Sequence, residues 1–411
     1  MNHDLLIRTL LLLSAVAACS GGSQGSGGGA GASGAGGGGS DASAPETTST
    51  PCGVGAVAVG AAHTCVLTAA GGVRCWGADA SGQLGDGGLL DRSTPPASDA
   101  LLGVLAIAVG ANHTCALMTT GGVRCWGSDQ SGQLGDGATT PRASPPTSDV
   151  LTGVKALAAG AGHTCALMMS GGVRCWGSNM FGELGDGTTQ SRNTPPPADA
   201  LTGAIGIAAG TSHTCALMTD GGVRCWGRNS FGQLGDGTTD DRPSPPGNDV
   251  VKDAAMISAG STHTCIVTKS GGVRCWGGNA DGQLGDGTPE DRSTPPTVDA
   301  LTGVSSVAAG NLFTCALTTE GGVRCWGYNS DGQLGDDTEL AVERRSPADR
   351  DVLGGAEAVA VGAADTCVLM KSGGIRCWGA NDNGQLGNDM APNRLIAPPA
   401  GDLAGLDPRC P

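Results

Sequence analysis

Apolar residues fall in short runs at fixed intervals along this chain. In one representative unit, Val104–Val109 is an apolar run closed by Gly110, and His113–Met118 is a second. Residues 123–126 (VRCW) form a third run, separated from the second by the pair Gly121-Gly122. Short β-rich runs bounded by glycine pairs read as hairpin strands, because glycine supplies the positive φ that a tight turn needs. The next block, residues 131–137 (SGQLGDG), is too rich in glycine for a strand interior and reads as a structured turn. A polar stretch with Pro145-Pro146 follows, and such a stretch can only edge a sheet. The unit therefore predicts about four short strands, the size of one propeller blade.

The unit recurs seven times. Its Cys-Trp pair stands at 75/76, 125/126, 175/176, 225/226, 275/276, 325/326 and 377/378, a step of 50 residues five times and 52 once. Periods of about 20–50 residues mark solenoids and propellers. The cysteines refine the picture. If Met118 pairs with Gly122, Cys115 faces Cys125 across the hairpin, and cross-strand neighbours have Cβ atoms about 4.5–5.5 Å apart, close to disulfide reach. The same spacing predicts Cys65–Cys75, Cys165–Cys175, Cys215–Cys225, Cys265–Cys275, Cys315–Cys325 and Cys367–Cys377. Zinc binding is the rival reading, but two cysteines per unit with no second pair nearby is poor zinc spacing.

The segments AVGANHTCAL (residues 108–117) and GGVRCWGSDQSGQLGDG (residues 121–137) resemble the repeat of the regulator of chromosome condensation family. The resemblance runs from about Cys52 to the C-terminus and implies an all-β, seven-bladed β-propeller. In that family the positions held here by cysteine are usually apolar or small, so this sequence looks like an exported variant of the repeat.

The N-terminal region supports export. Arg8 precedes an apolar stretch, residues 9–18, that ends in small residues and is too short to span a bilayer. Residues 16–19 (VAAC) resemble a bacterial lipobox, with cleavage before Cys19 and lipid attached to its sulfur. Residues 1–18 are thus expected to be a lipoprotein signal peptide. Residues 19–50, almost all Gly, Ser, Ala and Thr, are expected to be a disordered tether with a root-mean-square reach of roughly 30 Å. The propeller is expected over 51–411. Of the 17 cysteines, Cys52 and Cys410 remain, one at each end of the ring. A Cys52–Cys410 disulfide is expected to clasp it, worth up to ~5 kcal/mol by loop-closure entropy against roughly 3 for each hairpin bridge. So many paired cysteines place the domain outside a reducing cytosol. Ser20 after Cys19, where enteric bacteria use Asp for inner-membrane retention, favours the outer membrane.

Charge narrows the partners. The net charge is −15 and no basic cluster exceeds Arg344-Arg345. Phosphate-binding surfaces need positive patches, which argues against DNA or chromatin. The repeat histidines (His63, His113, His163, His213, His263) give way to Phe313 and Asp365 in the last two units. Spread round a ring, they read as strand-start residues bonded within their own blade rather than as metal ligands. Asn279, Asp281, Asp286 and their equivalents form carboxylate-bearing glycine turns, a type that can bind calcium. EF-hand spacing and a terminal Glu are missing and Gln283 sits in the middle, so a structural turn is expected and no metal or other cofactor. Arg74, Arg124, Arg174, Arg224, Arg274, Arg324 and Arg376 are expected to stack on tryptophan or pair with a repeat aspartate. No Ser–His–Asp or paired-carboxylate arrangement stands out from the repeat background, and the chain is read as a non-enzyme.

Breaks in the repeat lie in the loops. Phe181 and Phe231 replace Ser or Asp in two successive units, Met180 precedes the first, and Tyr328 lies in the equivalent turn of unit six. Aromatic residues are enriched at binding hot spots, so Phe181, Phe231 and Tyr328 are the candidate partner-binding residues. The most charged loop is 337–351, and variable loops on a rigid scaffold are where recognition concentrates. The expected function is a monomeric binding or scaffolding module on the cell envelope, recognising a protein or glycan. The resemblance offers two other roles. One is guanine-nucleotide exchange on a small GTPase, which export and disulfides oppose. The other is inhibition of an enzyme of the β-lactamase type, as in soluble bacterial relatives that use loop-face aromatics. A carbohydrate-active hydrolase or lyase would need an asymmetric acidic or metal cluster.

Overall fold

The computed structural model describes residues 53–336, 343–389, 393–394, 396–398 and 403. Cys19, Cys52, Cys410, the leader, the tether and residues 337–342 lie outside the described residues. Seven antiparallel sheets of three strands each follow one another along the chain. The first contains β1 (Val54–Val59), β2 (His63–Thr68) and β3 (Val73–Gly77) in that order, and the last contains β19 (Ala356–Val361), β20 (Asp365–Met370) and β21 (Ile375–Gly379). The protein is a seven-bladed β-propeller.

Each blade's order follows from its sequence. The first strand lines the axis with small apolar residues such as Ala58, Ala108 and Ala208, around a channel cavity of about 380 Å³. The second strand is covered on both faces, and β2 is buried along its whole length. The turn between the second and third strands is set by glycine. Gly121 has φ +80°, and Met118 N–H donates to Gly122 O at 2.8 Å. This register puts Cys115 opposite Cys125, and all seven in-blade cysteine pairs are disulfides.

The expected fourth strand is a correction. Outside the third strand the chain touches it at two isolated bridges in each of the first six blades, Gly77↔Arg92 and Val73↔Leu101 in the first, and at one, Gly379↔Arg394, among the described residues of blade seven. Between those points lies Pro95-Pro96, which cannot donate to a ladder, so a continuous edge strand does not form.

Blades pack face to face. Each hydrophobic cluster joins two successive blades, as where Cys65, Val73 and Leu84 meet Ile107, Met118 and Trp126. Seven tryptophans, one per blade, are fully buried in these seams. The seams also share one polar node. Gln83 O accepts from both Thr114 Oγ1 (2.9 Å) and Trp126 Nε1 (3.0 Å) of the next blade. Because the Thr114 proton is committed to that carbonyl, His63 Nε2 must donate to Thr114 Oγ1, at 3.1 Å. The histidine thus bonds the neighbouring blade, not its own as the sequence suggested: it stands at the start of the second strand, which faces the seam. It is the neutral Nε2–H tautomer, and burial pushes its pKa down to about 3. The turn carrying Gln83 approaches so closely that a Cβ on Gly85 (φ +75°) would lie 2.6 Å from Trp126 Nε1. Only glycine fits there.

The ring closes through the same contacts. Gln385 O in blade seven accepts from Thr64 Oγ1 and Trp76 Nε1 of blade one, each at 2.9 Å. Val54 N donates to Gly373 O, as Val104 N does to Gly71 O.

Two stability predictions follow from the node. Thr164→Val keeps the shape but removes the bonds to Gln133 O and His113 Nε2, so denaturant unfolding of oxidised protein should show a loss of about 1–3 kcal/mol. The five buried histidines hold their folded pKa values down at about 3 or 4. They unfold to an ordinary value near 6.5, so their contribution is complete above that pH and is lost as pH falls towards 4 and below. Stability should drop steeply across this window, and His163→Phe, the residue type blade six carries as Phe313, should make the drop shallower.

Candidate binding surface

The glycine-rich block after each third strand forms a rigid loop at one end of the ring. In blade five, Asn279 Oδ1 accepts Leu284 N–H at 3.0 Å, and Gln283 Oε1 accepts Asp281 N–H at 3.1 Å. Asp286 Oδ1 accepts from Asn279 Nδ2 and from the Thr288 hydroxyl, while its Oδ2 pairs with Arg292 at 2.7 Å. In blade five these polar groups hold the loop together. Among the described residues no group of three or more His, Cys, Asp or Glu is placed to hold a metal ion.

These loops present the residues that break the repeat. Phe181 N–H donates to Glu183 Oε2 and Phe231 N–H to Gln233 Oε1, so both aromatic side chains leave fixed points on adjacent blades. Arg228 lies between them, its guanidinium carbon 5.0 Å from the Phe181 ring centroid and 5.8 Å from that of Phe231. Each such contact is worth roughly 0.5–1 kcal/mol at a partly exposed site. Arg228 Nε also donates to Ser230 Oγ at 3.3 Å. Met180, beside Phe181, is 72 % exposed.

The sequence singled out both phenylalanines as candidates and did not single out Arg228, which the structure places against them. A signal was available: the residue after the Cys-Trp-Gly triplet is Ala, Ser, Gly or Tyr in the other blades and a cation only here. Tyr328 occupies that same triplet-following position two blades further round, half-buried, with its N–H donated to Leu312 O. It shares the end of the ring with the two phenylalanines but belongs to a separate seam.

The other candidates are absorbed by the scaffold. Six of the seven repeat arginines pair with an aspartate of the outer segment, as in Arg74–Asp99 (2.6 Å), Arg174–Asp199 (2.6 Å) and Arg324–Asp351 (2.7 Å), and Arg376 donates to Pro398 O. The tryptophans bond carbonyls instead. Of the charged loop in blade six, the described part is tied by Arg344–Asp336 and Arg345–Glu343. A cavity of about 580 Å³ lies on the rim between blades five and six, lined by residues including Val298, Arg324 and Asp349.

Three aspartates depart from the repeat's bonding. Asp365 stands where the first five blades have histidine. It is fully buried with neither carboxyl oxygen bonded, and burial raises its pKa well above the ordinary value. Asp79 and Asp129 stand where later blades have asparagine, and burial, with Asp86 and Asp136 nearby, pushes them up to about 6.

The architecture is that of a seven-bladed repeat propeller. The RCC1-like domain profile matches residues 23–301, and RCC1 repeats match residues 304–333 and 357–385. The chain belongs to the RCC1-like family. No curated protein sequence matches it. Among solved structures it is similar to yeast RCC1 (Prp20) bound to Kap60, with TM-score 0.68 and 22 % identity over 79 % of this chain and 82 % of that one. It is similar to Prp20p from Saccharomyces cerevisiae, described for its binding to Gsp1p and histones, with TM-score 0.67 and 23 % identity over 79 % and 85 %. It also resembles human WBSCR16, with TM-score 0.68 and 22 % identity over 78 % and 92 %. At these identities the likeness concerns the fold.

Asp365→His should restore the missing bond to Thr64 and raise the thermal midpoint. A carboxyl with a raised folded pKa contributes fully at low pH and loses that contribution as pH climbs through its folded value. The gain from Asp365→His should accordingly be larger at pH 8 than at pH 5, measured by calorimetry.

Proposed function

We propose that this propeller is a non-enzymatic binding module, displayed on the cell envelope by a lipid on Cys19, that recognises a protein partner through the loop end of the ring. The observation that carries the reading is the cluster of Phe181, Arg228 and Phe231, drawn together across a blade boundary beside exposed Met180. Arginine and aromatic side chains on a rigid frame are the composition of interface hot spots. The guanidinium lies over both rings and has no carboxylate within ion-pairing distance among the described residues, so the cluster does not serve as an internal salt bridge. Yeast Prp20, a propeller of the same fold, is described bound to Kap60 and for its binding to Gsp1p and histones, which supports protein recognition by this fold. Seven disulfides and a net charge of −15 support a role outside the cytosol and away from nucleic acid.

The test is capture of detergent-solubilised envelope proteins on the oxidised protein, beside a column carrying Phe181→Ala and Phe231→Ala. A partner retained by the first and reduced at least tenfold on the second is expected. A partner held equally by both would move recognition to another surface, such as Tyr328 or the rim cavity. Anchoring is tested separately: radiolabelled palmitate should enter the wild-type chain and not Cys19→Ala.

A further inference from the structure

We infer that blades one and two each bind a hard, oxygen-seeking cation, calcium by chemical class, between Asp79 and Asp86 in the first and between Asp129 and Asp136 in the second. The argument begins with the blades that lack such a site. In blade three, Asn179 Oδ1 accepts Leu184 N–H at 2.9 Å. Its Nδ2 then points into a cradle made only of oxygens: Asp186 Oδ1 (3.3 Å), Thr188 O (3.1 Å), Thr188 Oγ1 (3.3 Å) and Gln190 O (3.0 Å). Asn229 and Asn279 donate to the equivalent aspartate and threonine oxygens. The amide is the donor that this cradle requires.

Blades one and two reverse that chemistry. Asp79 Oδ1 still accepts Leu84 N–H at 2.9 Å, and Asp129 Oδ1 accepts Leu134 N–H at 2.9 Å. Anchored in the same way, each Oδ2 stands at the position of the amide nitrogen. Both aspartates are fully buried, and neither Oδ2 has a bonding partner. The threonine has also gone, replaced by Gly88 and Ala138. In blade five Asp286 Oδ1 receives the Thr288 hydroxyl and amide and the Asn279 amide. In blade one Asp86 Oδ1 receives Gly88 N–H, and Asp86 Oδ2 pairs with Arg92. A Cβ on Gly88 would lie 3.1 Å from Asp86 Oδ1 and 3.9 Å from Asp79 Oδ2, so these two carboxylate oxygens flank the space that a threonine side chain fills elsewhere, on the side where blade three presents the carbonyl of Thr188. Unsatisfied acceptors out of contact with water are costly, and a cation satisfies them together.

Carboxylates, a backbone carbonyl and water are calcium's preferred ligands, and exposure of residues 86–88 lets water complete the shell. With so few protein oxygens the affinity belongs with extracellular modules, about 10⁻⁴–10⁻³ M. Blade one should bind more tightly. There Asp91 adds a third negative charge, with its Oδ1 on Asp79 N–H at 2.8 Å, whereas blade two has Pro141 at that position.

The full oxidised chain, freed of metal by chelator, should be titrated with calcium chloride by equilibrium dialysis and thermal unfolding, with sodium chloride at equal ionic strength as control. Two calcium ions per chain are expected, with a rise in Tm of ~1–4 °C at ~10 mM calcium. Asp79→Asn should remove the tighter ion and Asp129→Asn the weaker. The double variant should bind none and show a calcium-independent Tm no lower than that of the metal-free wild type, because each amide re-enters its cradle. Absence of calcium binding by the wild type at millimolar concentration would overturn the inference and leave a proton between the paired carboxylates. Binding that survives in the double variant would overturn it by placing the ion elsewhere.

Discussion

One carbonyl oxygen in each blade holds the next blade in place. Gln83 O receives a threonine hydroxyl and an indole N–H from its neighbour, and that threonine receives a histidine N–H in return. All four groups are buried, so none has water as an alternative partner, and a mis-seated blade would leave several of them unsatisfied at once. The apolar seam supplies attraction between blades. The node supplies register, since it is met at only one relative position of the two sheets. The loop glycine serves this contact directly, since a Cβ on Gly85 would lie 2.6 Å from Trp126 Nε1.

The disulfides do a different job. Each joins two strands that are already neighbours in a hairpin, so its covalent link secures a blade internally, while its sulfur packs in the seam against the next blade. Among the described residues the contacts between blades are noncovalent, including those between blades seven and one. There the node is incomplete: Gln385 O keeps both donors, but Asp365 makes no bond where histidine stands elsewhere. Blade six also lacks the histidine bond, since Phe313 fills that space without a donor. The two weakened seams are thus consecutive, on either side of blade seven.

Much of this was legible in the sequence. The period, the glycine pair and the ten-residue cysteine spacing are local features, and local features fix a hairpin and its bridge. Phe181 and Phe231 could be placed on adjacent blades because the repeat assigns them identical positions. What the repeat could not reveal was contact between unlike positions. Arg228 meets Phe181 only because residue 228 of one blade faces residue 181 of the previous one, a relation set by the angle between sheets. The histidine was assigned to its own blade for the same reason, since sequence proximity favours partners within a unit. The fourth strand was overcounted because an extended, proline-bearing segment looks like a strand until its missing donors are considered.

The outer segment, fastened at two backbone bridges, also shows where this architecture tolerates added length. Blade six is longer than its predecessors by two residues, and both fall between Gly327 and Arg344, the residues of the upper bridge. That bridge and the lower one, Val323↔Leu353, form as they do in the shorter blades. The loop closed by the upper bridge is thus decoupled from the hub, and a foreign peptide spliced between Gly327 and Arg344 would be carried by an otherwise unaltered wheel. Seven such splice points surround the axis, which makes the molecule a natural frame for displaying several different peptides at fixed angular positions.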